Sequence, residues 1–188
     1  MDQRGSRFRR EAFSDQAGRA YASRERGPFR SRRRIVRFDY VQPFISSAQE
    51  ILESVLSGQI AAGRVQLSPA PLSGSAVTAV VGLTGDGEGR VLYEMSRDTA
   101  LAIAGHMNEE PMVELGTLAR ATLSELASMM TGRAISRLND KGHHLRVSPP
   151  TLIAGDNVSI SNVELETLVV PLETMHGEVI VNIAMTTV

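Results

Sequence analysis

A long helical period between about Val113 and Asn139 dominates the carboxyl-terminal half of the chain. At about 100° per residue, seven apolar residues of this segment fall on one side of the helix. They are Ala119, Leu123, Leu126, Ala127, Met130, Ala134 and Leu138. Such a stripe is typical of a helix that packs one face against a core, and Gly142 is the expected stop. The sequence therefore predicts one long helix with a buried side and an outward side.

The outward side of this helix carries small residues and a single carboxylate. Glu125 lies nearly opposite the apolar stripe, and Leu118 and Met129 flank it with apolar bulk. The small residues beside it are Ala121, Ser128, Gly132 and Ser136. A low surface of this kind permits another molecule to approach closely, or it packs against a neighbouring element of the same fold. Spacing alone favours the second interpretation, and both remain open at this point.

Two further helices are indicated by their periodicity and caps. The first has apolar residues at helical spacing from Phe44 to Leu56, with Pro43 in its first turn and Gly58 at its stop. The second runs from Arg97 to His106, and Ser96 is placed to cap it.

Pairs of apolar segments predict strands in the rest of the chain. Residues 77–95 favour two strands around Asp86-Gly87, a dipeptide typical of hairpin turns. Its glycines do not fit a phosphate-binding fingerprint, since the segment leads into a strand rather than a helix. Further strands are expected in residues 144–161, interrupted by Pro149-Pro150, and around His176-Gly177 near the end. The order of elements favours a mixed α/β (α+β) fold with a largely antiparallel sheet.

Charge divides the chain into two parts. Residues 1–37 hold twelve arginines and four acidic residues, whereas residues 38–188 hold eight basic and seventeen acidic residues. The net charges are therefore +8 and −9, which sum to the −1 of the whole chain. We interpret residues 1–37 as a disordered basic tail and residues 38–188 as one domain. The tail either attracts polyanions such as nucleic acid or anionic lipid, or is a dispensable extension, or precedes a true translation start near Val36.

Composition excludes several classes of site. The chain has no cysteine, which excludes disulfides, thiolate metal sites and cysteine nucleophiles. Its four histidines, two of them at His143-His144, show no metal-ligand spacing. No apolar run approaches the roughly 20 residues of a membrane span, and no secretory signal is evident. A cytoplasmic protein without a membrane segment, and without nucleic acid as its main partner, is the expectation.

The segment "SELASMMTGRAISRLNDKGHHLRVSPPTLIAG" resembles the motif helix and following strand of the CheX-type chemotaxis phosphatases, relatives of CheC and FliY. That family carries Glu-x-x-Asn-Met on a long helix, then a glycine, and a Pro-Pro pair about twenty residues on. The residues that match this pattern are Glu125, Met129, Gly132, Pro149 and Pro150. The order of elements from about residue 38 to residue 188 agrees as well, so the resemblance implies a CheC/CheX-like fold.

The resemblance also implies an activity. Such proteins dephosphorylate the phospho-aspartate of a CheY-like response regulator, which supplies the Mg²⁺ itself, so that the phosphatase needs no cofactor of its own. Glu125 would pair with the regulator's active-site lysine, and Ser128 would take the position of the water-orienting asparagine. The small and apolar residues Ala121, Met129 and Gly132 would form the docking surface. The resemblance further implies a homodimer through sheet edges.

Two departures from the family pattern keep a rival hypothesis open. Ser128 stands where the family has asparagine, and its hydroxyl is shorter than a carboxamide by roughly 1–2 Å. Ala121 stands where relatives often carry a small polar or acidic residue. A catalytically degenerate adaptor that binds a receiver domain without hydrolysis is therefore the alternative to a phosphatase. A third hypothesis is that the basic tail carries the main function. In that case the domain would serve as a dimeric platform for binding nucleic acid or membrane.

Overall fold

The computed structural model describes residues 38–68, 72–73, 76–155, 159–160 and 166–187. Within this part of the chain the helices are α1 (Phe38–Leu56), α2 (Arg97–Asn108) and α3 (Thr117–Asp140). The strands are β1 (Ala61–Ala62), β2 (Gln66–Ser68), β3 (Leu72–Ser73), β4 (Val77–Gly85), β5 (Gly87–Met95), β6 (Leu145–Val147), β7 (Thr151–Ala154), β8 (Ser159–Ile160), β9 (Thr167–Thr174) and β10 (Gly177–Thr187). The basic segment 1–37 lies outside the described residues, and the division at residue 37 stays a prediction.

Eight of these strands form one antiparallel sheet in the order β1-β9-β10-β5-β4-β6. β2 also pairs with β9, and β7 also pairs with β4, so both ends of the sheet are built from short strands. β3 and β8 form a separate two-stranded pair. The predicted mixed α/β fold with a largely antiparallel sheet is confirmed.

The β4–β5 hairpin turns at Asp86, as its Asp-Gly dipeptide predicts. A Cβ atom at Gly89 would collide with the backbone carbonyl oxygen of Ala184 on β10. Only glycine fits such a close approach of two strands. The glycines of this segment therefore serve the sheet, which agrees with the rejection of a phosphate-binding loop.

The first helix begins earlier than its sequence pattern indicates. α1 starts at Phe38, so Pro43 lies inside the helix, and its predicted place in the first turn is wrong. Tyr40 and Val41, only 8% and 0% exposed, belong to the core, and their burial keeps the preceding turn helical. A proline at this depth removes one backbone hydrogen bond, a cost that this packing offsets. The helix ends at Leu56, and Ser57 then adopts a left-handed φ of 51°.

The second helix confirms its predicted cap, and the third starts later than predicted. Ser96 accepts a hydrogen bond from the backbone N–H of Thr99 at 3.0 Å at the start of α2. The long helix begins at Thr117 rather than near Val113, because Gly116 is its N-cap residue. Glycine is poor inside a helix but acceptable at this cap.

Within the described residues, the remaining strand predictions agree with the structure except in residues 59–75, and the parts of these predictions in residues 156–158 and 161–165 lie outside the described residues. Pro149 and Pro150 separate β6 from β7, and both strands pair with β4. The last two strands form a hairpin around Met175-His176. β1, β2 and β3 are two or three residues long and were not predicted, since a strand this short depends on its partner strand more than on its own pattern.

The helices and one face of the sheet enclose the apolar core. Alternate residues of β4, β5 and β10 point into it together with the buried sides of α1, α2 and α3. The sheet residues of this cluster include Val77, Ala79, Val81, Val91, Tyr93, Val179, Val181 and Ile183. This layer fixes which side of α3 is buried and which side points away from the domain.

A buried polar pair lies on the other face of the sheet. The Asn182 side chain donates from Nδ2 to Glu94 Oε2 at 2.6 Å, and the two residues are 0% and 7% exposed. Burial raises the pKa of Glu94, while the Asn182 hydrogen bond and the nearby charge of Arg90 act in the opposite direction. The Oδ1 atom of Asn182 is buried and has no hydrogen-bond partner among the residues that the structure describes. The pair is therefore incompletely satisfied when Glu94 is ionised.

We expect Glu94→Gln to stabilise the domain by about 1 kcal/mol at neutral pH. The folded-state pKa of Glu94 is raised, so its contribution to stability is full below the unfolded-state pKa and is lost as pH rises through the folded-state pKa. Glutamine keeps an acceptor for Asn182 Nδ2 and carries no charge. Urea unfolding between about pH 4 and pH 7.5 measures the difference, with Glu88→Gln, at an exposed position near the start of β5, as the control. A Glu94→Gln domain less stable than the wild type at neutral pH would contradict this account.

Candidate functional site

The predicted buried stripe of α3 is confirmed in full. All seven predicted residues are at most 2% exposed, and Thr131 and Ile135 extend the stripe. These residues pack toward the sheet and the other two helices. Glu125, on the opposite side of the helix, is exposed.

The helix is fixed at several points along its length. The hydroxyl groups of Tyr93 and Thr131 share a buried hydrogen bond of 2.9 Å. Burial raises the pKa of Tyr93, so its hydroxyl stays protonated. Near the start of α3, Asn108 donates to Thr122 Oγ1 at 2.8 Å. Near its end, the Asn139 side chain makes hydrogen bonds to the backbone N–H and C=O of Leu145. The outward face is therefore presented on a rigid element.

The outward face of α3 forms a low ridge, here defined as Ala121, Glu125, Ser128, Met129, Gly132 and Ser136. Ala121, Glu125 and Ser136 are exposed, and the other three are partly exposed. Leu118, 48% exposed, continues the same face at the amino-terminal end. The structure thus brings all five predicted site residues onto one accessible surface.

Gly132 distinguishes the two interpretations of the small residues. No atom in the described part of the chain lies within 4 Å of a Cβ built at Gly132, counted outside its own helical turns. Glycine inside a helix costs roughly 1 kcal/mol relative to alanine. At Gly89 the chain's own packing requires glycine, whereas at Gly132 it does not. The expectation that the small residues pack against the same fold is therefore wrong for Gly132.

The two polar side chains among the five predicted site residues, Glu125 and Ser128, are available to another molecule. Neither Glu125 nor Ser128 makes a side-chain hydrogen bond or an ion pair with any residue that the structure describes. A free carboxylate and a free hydroxyl, three residues apart on one helix face, supply acceptors and a donor at fixed positions.

A second glutamate on α1 differs from Glu125 in its surroundings. Glu50 accepts hydrogen bonds from Arg133 Nε at 3.0 Å and from Arg137 Nη2 at 2.6 Å. The hydrogen bond from Arg137 is the main reason that the pKa of Glu50 lies below its usual range. Since Glu50 is already paired within the domain, α1 offers no free carboxylate there.

The histidines have partners that sequence reasoning did not assign. His143 Nδ1 lies 3.1 Å from Tyr40 Oη, and His144 Nδ1 lies 3.3 Å from Asp86 Oδ2. His106 Nδ1 and His176 Nε2 lie 3.0 Å apart. Across the described ranges, no group of three or more histidine, aspartate or glutamate residues is arranged to hold a metal ion. Among the helices that the structure describes, none is long and apolar enough to cross a membrane.

Comparison with known proteins identifies the family of this chain. The model of the family "Chemotaxis phosphatase CheX" matches residues 77–173, more than half of the chain and including all of α3. The CheY-P phosphatase CheX of Thermotoga maritima is 31% identical over 124 residues, which are 65% of this chain and 79% of that protein.

Two crystal structures show the same fold. The CheX–CheY–BeF3–Mg²⁺ complex from Borrelia burgdorferi is similar with a TM-score of 0.70 and 32% identity, over 80% of this chain and 99% of the other. A CheC-like superfamily protein from Shewanella sp. PV-4 is similar with a TM-score of 0.73 and 22% identity, over 80% and 99% of the two chains. The chain belongs to the CheX family of chemotaxis phosphatases.

Proposed function

We propose that this protein accelerates hydrolysis of the phospho-aspartate of a CheY-like response regulator. The observation that carries the proposal is the open ridge of α3 in a member of the CheX family: no residue in the described part of the chain pairs with Glu125 or covers Gly132. A low helix face with one projecting carboxylate fits into a recessed pocket on another protein. Hydrolysis in such a pocket depends mainly on positioning and electrostatics, which a rigid helix supplies.

The relatives support the partner and the metal of this proposal. The Thermotoga protein is named as a phosphatase of CheY-P, and the Borrelia structure contains CheY with BeF3 and Mg²⁺. For this chain we assign the same type of partner and place Mg²⁺ on the regulator. Mg²⁺ takes octahedral oxygen coordination and is bound by carboxylates together with phosphate oxygens. Glu125 is the single carboxylate of the ridge, which is too few for a metal site of its own.

Glu125 and Ser128 have different roles in this proposal. The Glu125 carboxylate pairs with a lysine in the regulator's pocket and sets the register of docking. The Ser128 hydroxyl holds a water molecule in line with the phosphorus–oxygen bond. The water oxygen attacks phosphorus, the bond to the aspartate oxygen breaks, and the proton leaves with inorganic phosphate or to solvent. Ala121 and Gly132 keep the surface low enough for this approach, and Met129 adds an apolar contact beside them.

The substitution at Ser128 favours one second candidate function. A serine hydroxyl is shorter than an asparagine carboxamide by roughly 1–2 Å, and errors of about 1 Å in positioning can cost a hundredfold in rate. A protein that docks through Glu125 but holds no water would act as an adaptor that binds the regulator without hydrolysis.

The assembly and location of the protein are part of the same proposal. We place it in the cytoplasm, where response regulators act, and as a homodimer joined through sheet edges. The edge strands β6 and β7 support this, since Arg146, Val147 and Thr151 are exposed there.

Two substitutions at Ser128 test whether the protein is a phosphatase or an adaptor. We expect Ser128→Ala to lower the rate of phosphate release by on the order of tenfold or more while binding stays within about twofold, because the water loses its partner. Ser128→Asn should also lower the rate if the serine hydroxyl is the group that positions the water. It should raise the rate if the site lacks only the carboxamide of the family's asparagine. The measurement is phosphate release from CheY-type receivers of the same genome, phosphorylated with acetyl phosphate. Binding by the wild type without any faster release would reject the phosphatase and leave the adaptor.

A further inference from the structure

The side of α3 that faces α1 carries a row of basic residues. Arg133, Arg137 and Lys141 follow one another at intervals of four, so they lie along one line of the helix and its end. Arg133 directly follows Gly132 and lies about 80° around the helix from Glu125. A partner that reaches Gly132 therefore also meets Arg133.

The two arginines of this row differ in how many hydrogen bonds they make within the domain. Arg137 Nη2 donates to both oxygens of Glu50, at 2.8 Å and 2.6 Å, and its Nη1 donates to Ser46 Oγ at 3.1 Å. Arg133 donates only from Nε, at 3.0 Å, to Glu50 Oε2. Its side chain is 52% exposed, and its two terminal nitrogens make no hydrogen bond with any described residue. Glu50 thus orients Arg133, and the two terminal nitrogens of Arg133 can still donate hydrogen bonds to a partner.

A phosphorylated pocket that binds Mg²⁺ through carboxylates keeps a net negative charge, because the two positive charges of the metal offset only part of the total. The phosphoryl group carries up to two negative charges, and the metal needs carboxylates beside it. Residues 38–188 of this chain carry a net charge of −9, and such a domain repels an anionic partner unless the contact surface is locally positive. The basic row beside the ridge supplies that local charge.

We propose that Arg133 is a docking residue that binds a carboxylate on the rim of the regulator's phosphorylated pocket. This inference rests on the function proposed above and adds a contact that sets the choice of partner. Arg133 points away from Ser128, about 140° around the helix, so it meets the rim of the pocket rather than the phosphoryl group. Glu50 and Arg137 are positioning residues, since they hold the Arg133 stem beside the ridge.

The test compares Arg133→Gln, Arg133→Lys and the matched control Arg97→Gln, which removes an exposed positive charge from α2. The measured quantity is the dissociation constant for a CheY-type receiver trapped with BeF3⁻ and Mg²⁺, at about 50 mM and about 500 mM salt. We expect Arg133→Gln to weaken binding about tenfold at low salt and less than about twofold at high salt. Arg133→Lys, which keeps the charge, should stay within about threefold of the wild type, and Arg97→Gln within about twofold.

A merely structural role for Arg133 predicts a different result. In that case Arg133→Gln would lower the thermal midpoint by more than about 3 °C, and any loss of binding would not depend on salt. That outcome, or equal binding by the Arg133→Gln and Arg97→Gln variants, overturns the inference. The phosphatase proposal stands if the wild type still accelerates phosphate release from the same receiver. Failure of the wild type to bind any receiver of the genome overturns both proposals.

Discussion

The Glu125→Ala variant is expected to lose on the order of a hundredfold in kcat/KM for phosphate release, with the domain as stable as the wild type. Removing one member of a charge pair that is buried on docking costs about 2–5 kcal/mol, since the other charge is left unpaired. In the isolated domain Glu125 is exposed and has no partner among the described residues, so its removal should change the free energy of unfolding by less than about 0.5 kcal/mol.

Phosphate release at several regulator concentrations, together with urea unfolding, checks both halves of this expectation. Glu178→Ala on β10 is the matched control, because it removes an exposed carboxylate from another element. Glu125→Gln keeps the shape and removes the charge, so it should behave like the alanine variant if pairing with a lysine is the role. Full activity of Glu125→Ala would remove Glu125 from the docking contact.

The second large effect is expected at Gly132, where stability and function should change in opposite directions. Gly132→Leu should stabilise the domain by roughly 0.5–1 kcal/mol, since leucine favours a helix and its Cβ meets no atom of the described residues. The same side chain stands above the ridge and holds the partner away. A displacement of about 1 Å can cost a hundredfold in rate, so we expect a loss of that order in kcat/KM.

Ser54→Leu on the exposed face of α1 is the control for added bulk on a helix outside the ridge. It should leave phosphate release within about twofold of the wild type. Gly132→Ala should lie between the wild type and Gly132→Leu in activity. A Gly132→Leu protein with wild-type kcat/KM would show that this part of α3 stays outside the interface.

The buried half of α3 is predictable because its seven apolar residues repeat with one period along one element. The hairpin at Asp86 and the cap at Ser96 are predictable for a similar reason, since each depends on residues close in sequence. The start of α1 is not, because the burial of Tyr40 and Val41 against distant elements decides it. Propensity at Pro43 is overridden by that packing.

The candidate site is likewise predictable from the sequence only in part. Its five residues follow from the helical period and the family pattern, but a helical wheel gives only the direction of a side chain. It does not show whether another element covers Gly132, and the structure was needed for that. The contacts of Glu50 with Arg133 and Arg137 join residues 83 and 87 positions apart, and no local pattern indicates them. Asn182, which lies 88 positions from Glu94, is a further example.

The most direct test of the docking ridge uses the absence of cysteine from this chain. A single cysteine at Ala121 places one thiol on the ridge, and a single cysteine at Arg97 places one on α2 as the control. The measurement is the alkylation rate of each thiol, with and without a CheY-type receiver of the same genome trapped with BeF3⁻ and Mg²⁺. We predict that the receiver slows alkylation at position 121 by about tenfold or more and leaves position 97 unchanged. Equal alkylation at position 121 with and without a receiver that binds the protein would contradict the assignment of α3 as the docking surface.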